Sequence, residues 1–222
     1  MRPCKIFTAF LILAISAGCT KNSDKGGTTR VNGSIHVVAN QQNGDVATVN
    51  GAISIDEKAT FGDADTVNGD IYLGAHAAGT SAKTVNGNIT LDAGARINGE
   101  VASVNGLLTL NDGAEVTGSL GNVNGGISLT NAHAAKGIIT VNGDISVLGT
   151  SKVEGGLYVK KLSSGVLQYN TTEPRIIIGP GATVLGALKF ERTVKLYVSD
   201  KSTIGPVSGA TPIPFSGDMP PA

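Results

Sequence analysis

The chain has 222 residues, with 17 Lys plus Arg balanced by 17 Asp plus Glu, 31 Gly and no Trp. Even charge excludes a globally basic nucleic-acid binder. Two Cys, three His and few aromatics exclude a disulfide scaffold, a zinc finger and an aromatic-lined carbohydrate cleft, and charged residues at 15% exclude a long coiled coil. High Gly beside ordinary hydrophobicity predicts a fold with many tight turns.

Residues 1–18 read as a targeting segment. Arg2 and Lys5 precede the apolar run from Ile6 to Ile15, and Ile6 to Gly18 is only 13 residues. A membrane-spanning helix needs about 20. Ala17-Gly18-Cys19 resembles the lipobox of bacterial lipoproteins, with Ser16 standing where that family usually has Leu, Ile or Val. The resemblance implies cleavage before Cys19 and lipid attachment to it, so the N-terminus would sit on a membrane. The other reading is an ordinary secretory signal with Cys19 as a spare thiol. Thr20, rather than Asp, follows the cysteine, which in such lipoproteins implies the periplasmic face of the outer membrane. Cys4 leaves with the signal, so the mature chain can form no intramolecular disulfide. Residues 19–30 are polar and unpatterned, a flexible tether.

Next comes a repeat. Val-Asn-Gly begins at Val31, Val49, Val67, Val85, Val104, Val123 and Val141, at spacings of 18, 18, 18, 19, 19 and 18 residues. Near-constant short periods mark a solenoid. The residues four and six after each Val are aliphatic (Ile53 and Ile55, Ile71 and Leu73, Ile89 and Leu91) and the one between is polar or outward-facing (Ser54, Tyr72, Thr90), which is strand alternation. A second motif stands twelve after the Val, in Ile97-Asn98-Gly99-Glu100-Val101, Val116-Thr117-Gly118-Ser119-Leu120 and Val153-Glu154-Gly155-Gly156-Leu157. Anchors at 0, 6 and 12 divide each repeat into three short faces. The expectation is an all-β fold: a single-stranded parallel β-helix over 31–205, of about nine coils at roughly 4.8 Å each. Asn-Gly at the corner is explained by tolerance of positive φ. Stacked coils would align Asn32, Asn50, Asn68, Asn86, Asn105, Asn124 and Asn142 into a structural ladder of side-chain amides. Asn-Gly hairpins, the rival reading, do not fit a unit that contains two or three turns and repeats in register. The offsets recur at Ile178, Ala182, Val184 and Leu188, about a dozen residues late, so 162–173 should loop out or form an irregular rung.

The pattern Leu-x-x-Gly-Ala-x-Val-x-Gly-x-Leu, matched best at 110–120 and more loosely at 91–101 and 178–188, is similar to that of bactofilins, polymer-forming bacterial proteins with a right-handed parallel β-helix. Val-Asn-Gly-Asp-Ile at Val67 and Val141 resembles repeats of bacterial adhesin-like domains. The resemblance implies a right-handed solenoid and raises self-association through the coil ends. A lipoprotein signal departs from the cytoplasmic habit of bactofilins.

Chemistry is sparse. His36, His76 and His133 fall at different repeat positions, so no shared metal site and no supporting carboxylate beside a histidine is expected. Asp63 and Asp65 are close, and Asp70 and Asp144 share a repeat position, but the loops look too short to build a polysaccharide-cleaving cleft around them. The calcium repeat Gly-Gly-x-Gly-x-Asp is absent, and the Ser/Thr column is broken by Tyr72 and His36, unlike an ice-binding rank. No catalytic residue, cofactor or metal is assigned. From Val31 to Ser151 there are four Lys/Arg and eleven Asp/Glu; from Lys152 onward there are eight and five. Lys189, Arg192, Lys195 and Lys201 make the far end basic, as either an anionic-partner contact or a charged cap. The Pro-rich tail, 206–222, is expected not to continue the ladder but to cap it. The function expected is that of a non-enzymatic, lipid-anchored envelope protein with a structural or adhesin/scaffold-like role. Its partner would be an envelope protein or polymer, with no nucleic acid. A homopolymer is the alternative, and a polysaccharide-active enzyme the remaining one.

Overall fold

The computed structural model describes residues 26–161 and 173–221. The signal segment, Cys19, most of the tether and 162–172 lie outside the described residues. Every strand pairing is parallel, and each turn of the chain places strands on two or three stacked sheets. The first sheet has ten strands, from Thr28–Asn32 through Val46–Asn50, Asp63–Asn68 and Ser81–Asn86 to Val207–Ser208. The second also has ten, from Ile35–Val37 to Pro212–Phe215, and the third has seven short ones, from Ala78–Gly79 to Thr203–Ile204. The result is a parallel β-solenoid of nine turns, closed by one further rung.

Alternation sets the second sheet. Ile53 and Ile55 face inward and are fully buried while Ser54 faces out, and the register stacks Ile53 on Ile71 and Ile55 on Leu73. Like therefore packs on like down one hydrophobic core, and each fully buried Ile or Leu contributes about 1.5–3 kcal/mol. On the third face, Ile97, Val116 and Val153 are buried, as the second motif predicts. Where that motif is missing, bulk is shared between coils: Phe61 fills the space above Gly79, where a Cβ would overlap its ring.

Val-Asn-Gly itself marks the corner, and its valines lie on the outer side, partly or fully exposed except at Val141, which is buried. The inward positions are one and three residues earlier, as at Thr48 and Val46, or Thr66 and Ala64. The expected reason for Asn-Gly needs correction. No motif asparagine has positive φ, and of the motif glycines only Gly33, Gly106 and Gly125 do. The shared constraint is distance: a Cβ on Gly69 would overlap the Gly51 carbonyl oxygen, and one on Gly87 that of Gly69. Coils touch backbone to backbone here. The left-handed turn lies elsewhere, at Lys58 (φ 58°), His76 (φ 59°) and Gly94 (φ 67°).

Two boundaries also move. The first strand starts at Thr28, inside the expected tether, because Thr28 pairs with Val46 through backbone and needs no apolar side chain at this exposed end. The tail does continue the ladder: Pro212, Ile213, Pro214 and Phe215 pair with Leu196, Tyr197, Val198 and Ser199. Asp200 N–H donates to the Phe215 carbonyl at 3.1 Å, so Phe215, and Ile213 two residues before it, turn their backbone groups toward the preceding strand. Pro212 and Pro214 consequently face the open side, where a missing N–H breaks no bond. Phe215 is 7% exposed and closes the core from below.

Gly69→Ala is expected to destabilise the fold by about 3 kcal/mol, since backbone must shift. Gly26→Ala, with nothing within 4 Å of the added carbon, should stay within about 0.5 kcal/mol. Paired denaturant titrations check both values.

Candidate functional site

The corner built by Val-Asn-Gly carries the most regular chemistry in the molecule. Register places Asn32 beside Asn50, Asn50 beside Asn68 and Asn68 beside Asn86. Each side chain donates Nδ2–H to the Oδ1 of the preceding coil: Asn50 to Asn32 at 3.0 Å, Asn68 to Asn50 at 2.9 Å, Asn86 to Asn68 at 2.9 Å and Asn105 to Asn86 at 2.8 Å. Asn124 and Asn142 extend the column at 3.0 and 2.9 Å. An amide is the side chain suited to this because it donates and accepts at once.

The column has one direction, and the far end explains it. Arg192 donates to Asn142 Oδ1, and also to the Val141 carbonyl at 3.1 Å. A guanidinium only donates. Asn142 must therefore offer oxygen to Arg192 and nitrogen to Asn124, and every amide above follows. The aligned amide dipoles end with their negative pole on a cation. Arg192 thus serves the ladder, while the other basic residues lie apart from it. Lys189 stands on the first sheet opposite Tyr158, Lys195 on the second opposite Arg175, and Lys201 in the turn whose carbonyl takes the Gly181 N–H at 3.1 Å.

A second, interior column escaped the sequence reading. Thr48, Thr66, Thr84 and Ser103 are buried and donate their hydroxyls to the carbonyls of Gly33, Gly51, Gly69 and Gly87 at 3.0–3.1 Å. Asn122 donates to the Gly106 carbonyl at 2.6 Å. The signal was present as a small hydroxyl residue directly before most motif valines. It satisfies the carbonyl of the glycine whose missing Cβ lets the coils meet.

The carboxylates follow the same logic. Asp70 Oδ1 accepts the Asn88 N–H at 2.7 Å, and Asp144 Oδ1 the Arg175 N–H at 2.7 Å. Asp63 accepts the Ser81 hydroxyl at 2.7 Å. Burial pushes the Asp65 carboxyl above its ordinary value, and Asp63 beside it adds to the rise, against the pull of Lys83. The expectation that histidines lack carboxylate neighbours is wrong. His36 Nε2 lies 2.8 Å from Asp56, and His133 lies 3.6 Å from Glu115 and 3.3 Å from Glu154. Stacking causes this, since one coil's side chain meets the next coil's at the same position, as His133 meets Glu115, or two residues further along, as His36 meets Asp56 and His133 meets Glu154. His133 belongs to an outer charged column on the third face, with Arg96 3.6 Å from Glu115 and Lys152 2.8 Å from Glu154. Lys152 holds the Glu154 carboxyl below the usual range. His76 occupies a left-handed turn. Among the described residues, no group of three His, Cys, Asp or Glu is placed to hold a metal ion.

Shallow grooves on the described residues include two beside these columns. One, of 550 Å³, runs beside the asparagine corner past Leu107, Thr109, Ser128, Asp144 and Arg175. The other, of 380 Å³, lies on the third face along Glu115, His133 and Lys152. No helix among the described residues is long and apolar enough to cross a membrane.

Ladder polarity makes two equivalent-looking substitutions differ. Asn32→Asp keeps the oxygen that Asn50 needs and should leave stability within about 0.5 kcal/mol. Asn86→Asp removes a donor and sets a carboxylate against Asn68 Oδ1, so it should lose about 1–3 kcal/mol at neutral pH. Acid that protonates the new carboxyl should restore much of this, as melts at two pH values would show. Asp65 behaves oppositely to a paired carboxylate. Its raised folded pKa means the folded state binds more protons than the unfolded one, so its contribution falls as pH rises through the interval between the two values. Asp65→Asn should therefore raise the melting temperature at neutral pH, and the gain should vanish below the ordinary carboxylate range.

No family model matches the chain, and no curated protein or solved structure matches it either.

Proposed function

We propose that the chain is a non-enzymatic, lipid-anchored β-solenoid of the bacterial envelope that acts as a structural or interaction module. The observation that carries this reading is how the polar side chains are used. Of the four carboxylates that the sequence singles out, Asp63, Asp70 and Asp144 each accept a coil-to-coil hydrogen bond, and Asp65 stands beside Lys83 of the next coil. Hydrolysis of a polysaccharide would need a carboxylate pair free in a cleft, positioned on substrate. Here the same groups hold adjacent turns together, and the interior is filled with aliphatic side chains.

The mechanism that follows is mechanical. In-register backbone pairing makes a stiff rod. Cys19 would tie one end to the periplasmic face of the outer membrane, each buried acyl methylene adding about 0.8 kcal/mol. The flanks and far end would then meet an envelope protein or polymer, with no cofactor required. Arg192 being used internally, Lys189, Lys195 and Lys201 remain the candidates for an anionic contact at that end.

Homopolymerisation is the second reading. Its support is the first strand, Thr28–Asn32, whose outer edge has no strand against it among the described residues and whose Val31 is 66% exposed. The opposite end favours the single rod, because Pro212 and Pro214 block further strand addition on the second sheet.

Labelling with a fatty-acid analogue tests the anchor: the native chain should carry label and sediment with membranes, and Cys19→Ser should be unlabelled and soluble. Membrane association unchanged by Cys19→Ser contradicts the anchored reading. Sedimentation of that soluble variant, with electron microscopy, separates the two forms. A monomer at high concentration supports the rod, and filaments support the polymer.

A further inference from the structure

The sequence contains nine Asn-Gly pairs, the dipeptide in which glycine's small, unhindered nitrogen most readily attacks the asparagine side chain. The fold treats them unequally. In the ladder pairs from Asn50 to Asn142, the side chain is held through both its oxygen and its nitrogen. At the column's top, Asn32 is held through oxygen, and the Gly33 N–H donates to the Asn50 carbonyl at 2.8 Å. Asn43 accepts the Gly44 N–H at 3.1 Å, and that same N–H donates to the Gly26 carbonyl at 3.2 Å.

Asn98-Gly99 differs from all of these. Among the described residues, no hydrogen bond holds either the Asn98 side-chain amide or the Gly99 N–H, and Asn98 is exposed. Register explains why. Gly79 pairs with Ile97 and Ala82 with Val101. The earlier coil places Thr80 and Ser81 between those points, whereas this coil places Asn98, Gly99 and Glu100. One residue has been added at this corner, and the coil above supplies no backbone partner for it. The coil below holds only oxygens, with Gly118 N–H on the Gly99 carbonyl at 3.0 Å and the Thr117 hydroxyl on that of Asn98 at 2.6 Å.

We propose that Asn98-Gly99 is a built-in site of spontaneous deamidation, and that the asparagine ladder protects the interior pairs from the same reaction. Hydroxide or a buffer base removes the Gly99 amide proton. The nitrogen then attacks Asn98 Cγ, forming a C–N bond as the bond to Nδ2 breaks, and the departing nitrogen leaves as ammonia. The five-membered imide takes up one water at either carbonyl and opens to aspartate or isoaspartate. One ammonia is lost, one water is gained and nothing is oxidised. A ladder asparagine must first let go of two neighbours to reach the attacking geometry, which requires local opening of the corner. Asn98 needs no such opening. Modification there adds a carboxylate to the acidic stretch of the rod, at a corner that already accommodates an additional residue.

The test is to age the whole folded chain in mildly alkaline buffer and follow each Asn-Gly peptide by mass spectrometry, with isoaspartate detection. Position 98 should convert at least about tenfold faster than positions 50, 68, 86, 105 and 124, the difference being the cost of opening. The same chain in denaturant should lose that preference, and Asn98→Ser should abolish the early acidic form while melting normally. Equal rates across the folded chain would overturn the proposal. So would a preference for Asn98 that persists after unfolding, because the fold would then not be its cause.

Discussion

Stacking in register at the spacing of a β-ladder is the constraint from which this structure follows. Each residue meets, one turn away, the residue at its own repeat position. A position therefore has to tolerate itself. Aliphatic side chains do so by packing, hydroxyls by reaching a neighbouring carbonyl, and amides by donating in one direction and accepting in the other. Charges are answered by opposite charge at some outer positions, with Asp65 beside Lys83 and Glu115 between Arg96 and His133, whereas Lys195 stacks on Arg175 at the basic end. At the Val-Asn-Gly corner the constraint is most severe, since backbone meets backbone and a Cβ has no space.

The ends of the rod are where self-tolerance stops, and they are built differently. At the basic end Arg192 terminates the amide column with a group that only donates, and two prolines close the second sheet. At the other end the first strand presents an outer edge, and Asn32 keeps its amide nitrogen unbound among the described residues. The molecule is thus polar along its length in its backbone, its side-chain dipoles and its charge.

Periodicity made the fold legible. Spacing of 18 or 19 residues with aliphatics at fixed offsets left few arrangements other than coils, and a single misplaced register would have turned Ile53 and Ile55 outward. The asparagine column was legible for the same reason. Less visible were features that depend on which atoms touch. Thr48 and Thr66 read as ordinary strand residues until the glycine carbonyls they satisfy are seen. The glycines read as turn formers, although close approach is what requires them. Prolines in the tail read as ladder breakers, yet an outermost strand needs only one of its two edges. Arg192 read as a surface charge because its partner, Asn142, lies 50 residues away.

The central claim is that the asparagine column is a single, directional chain of hydrogen bonds. Side-chain amide hydrogen exchange, followed by NMR, tests it most directly. Asn50, Asn68, Asn86, Asn105, Asn124 and Asn142 should each show one slowed Nδ2 proton, while Asn32 and Asn98 exchange freely. Uniformly fast exchange along the column, or slowing at Asn32 with none at Asn142, would contradict the account.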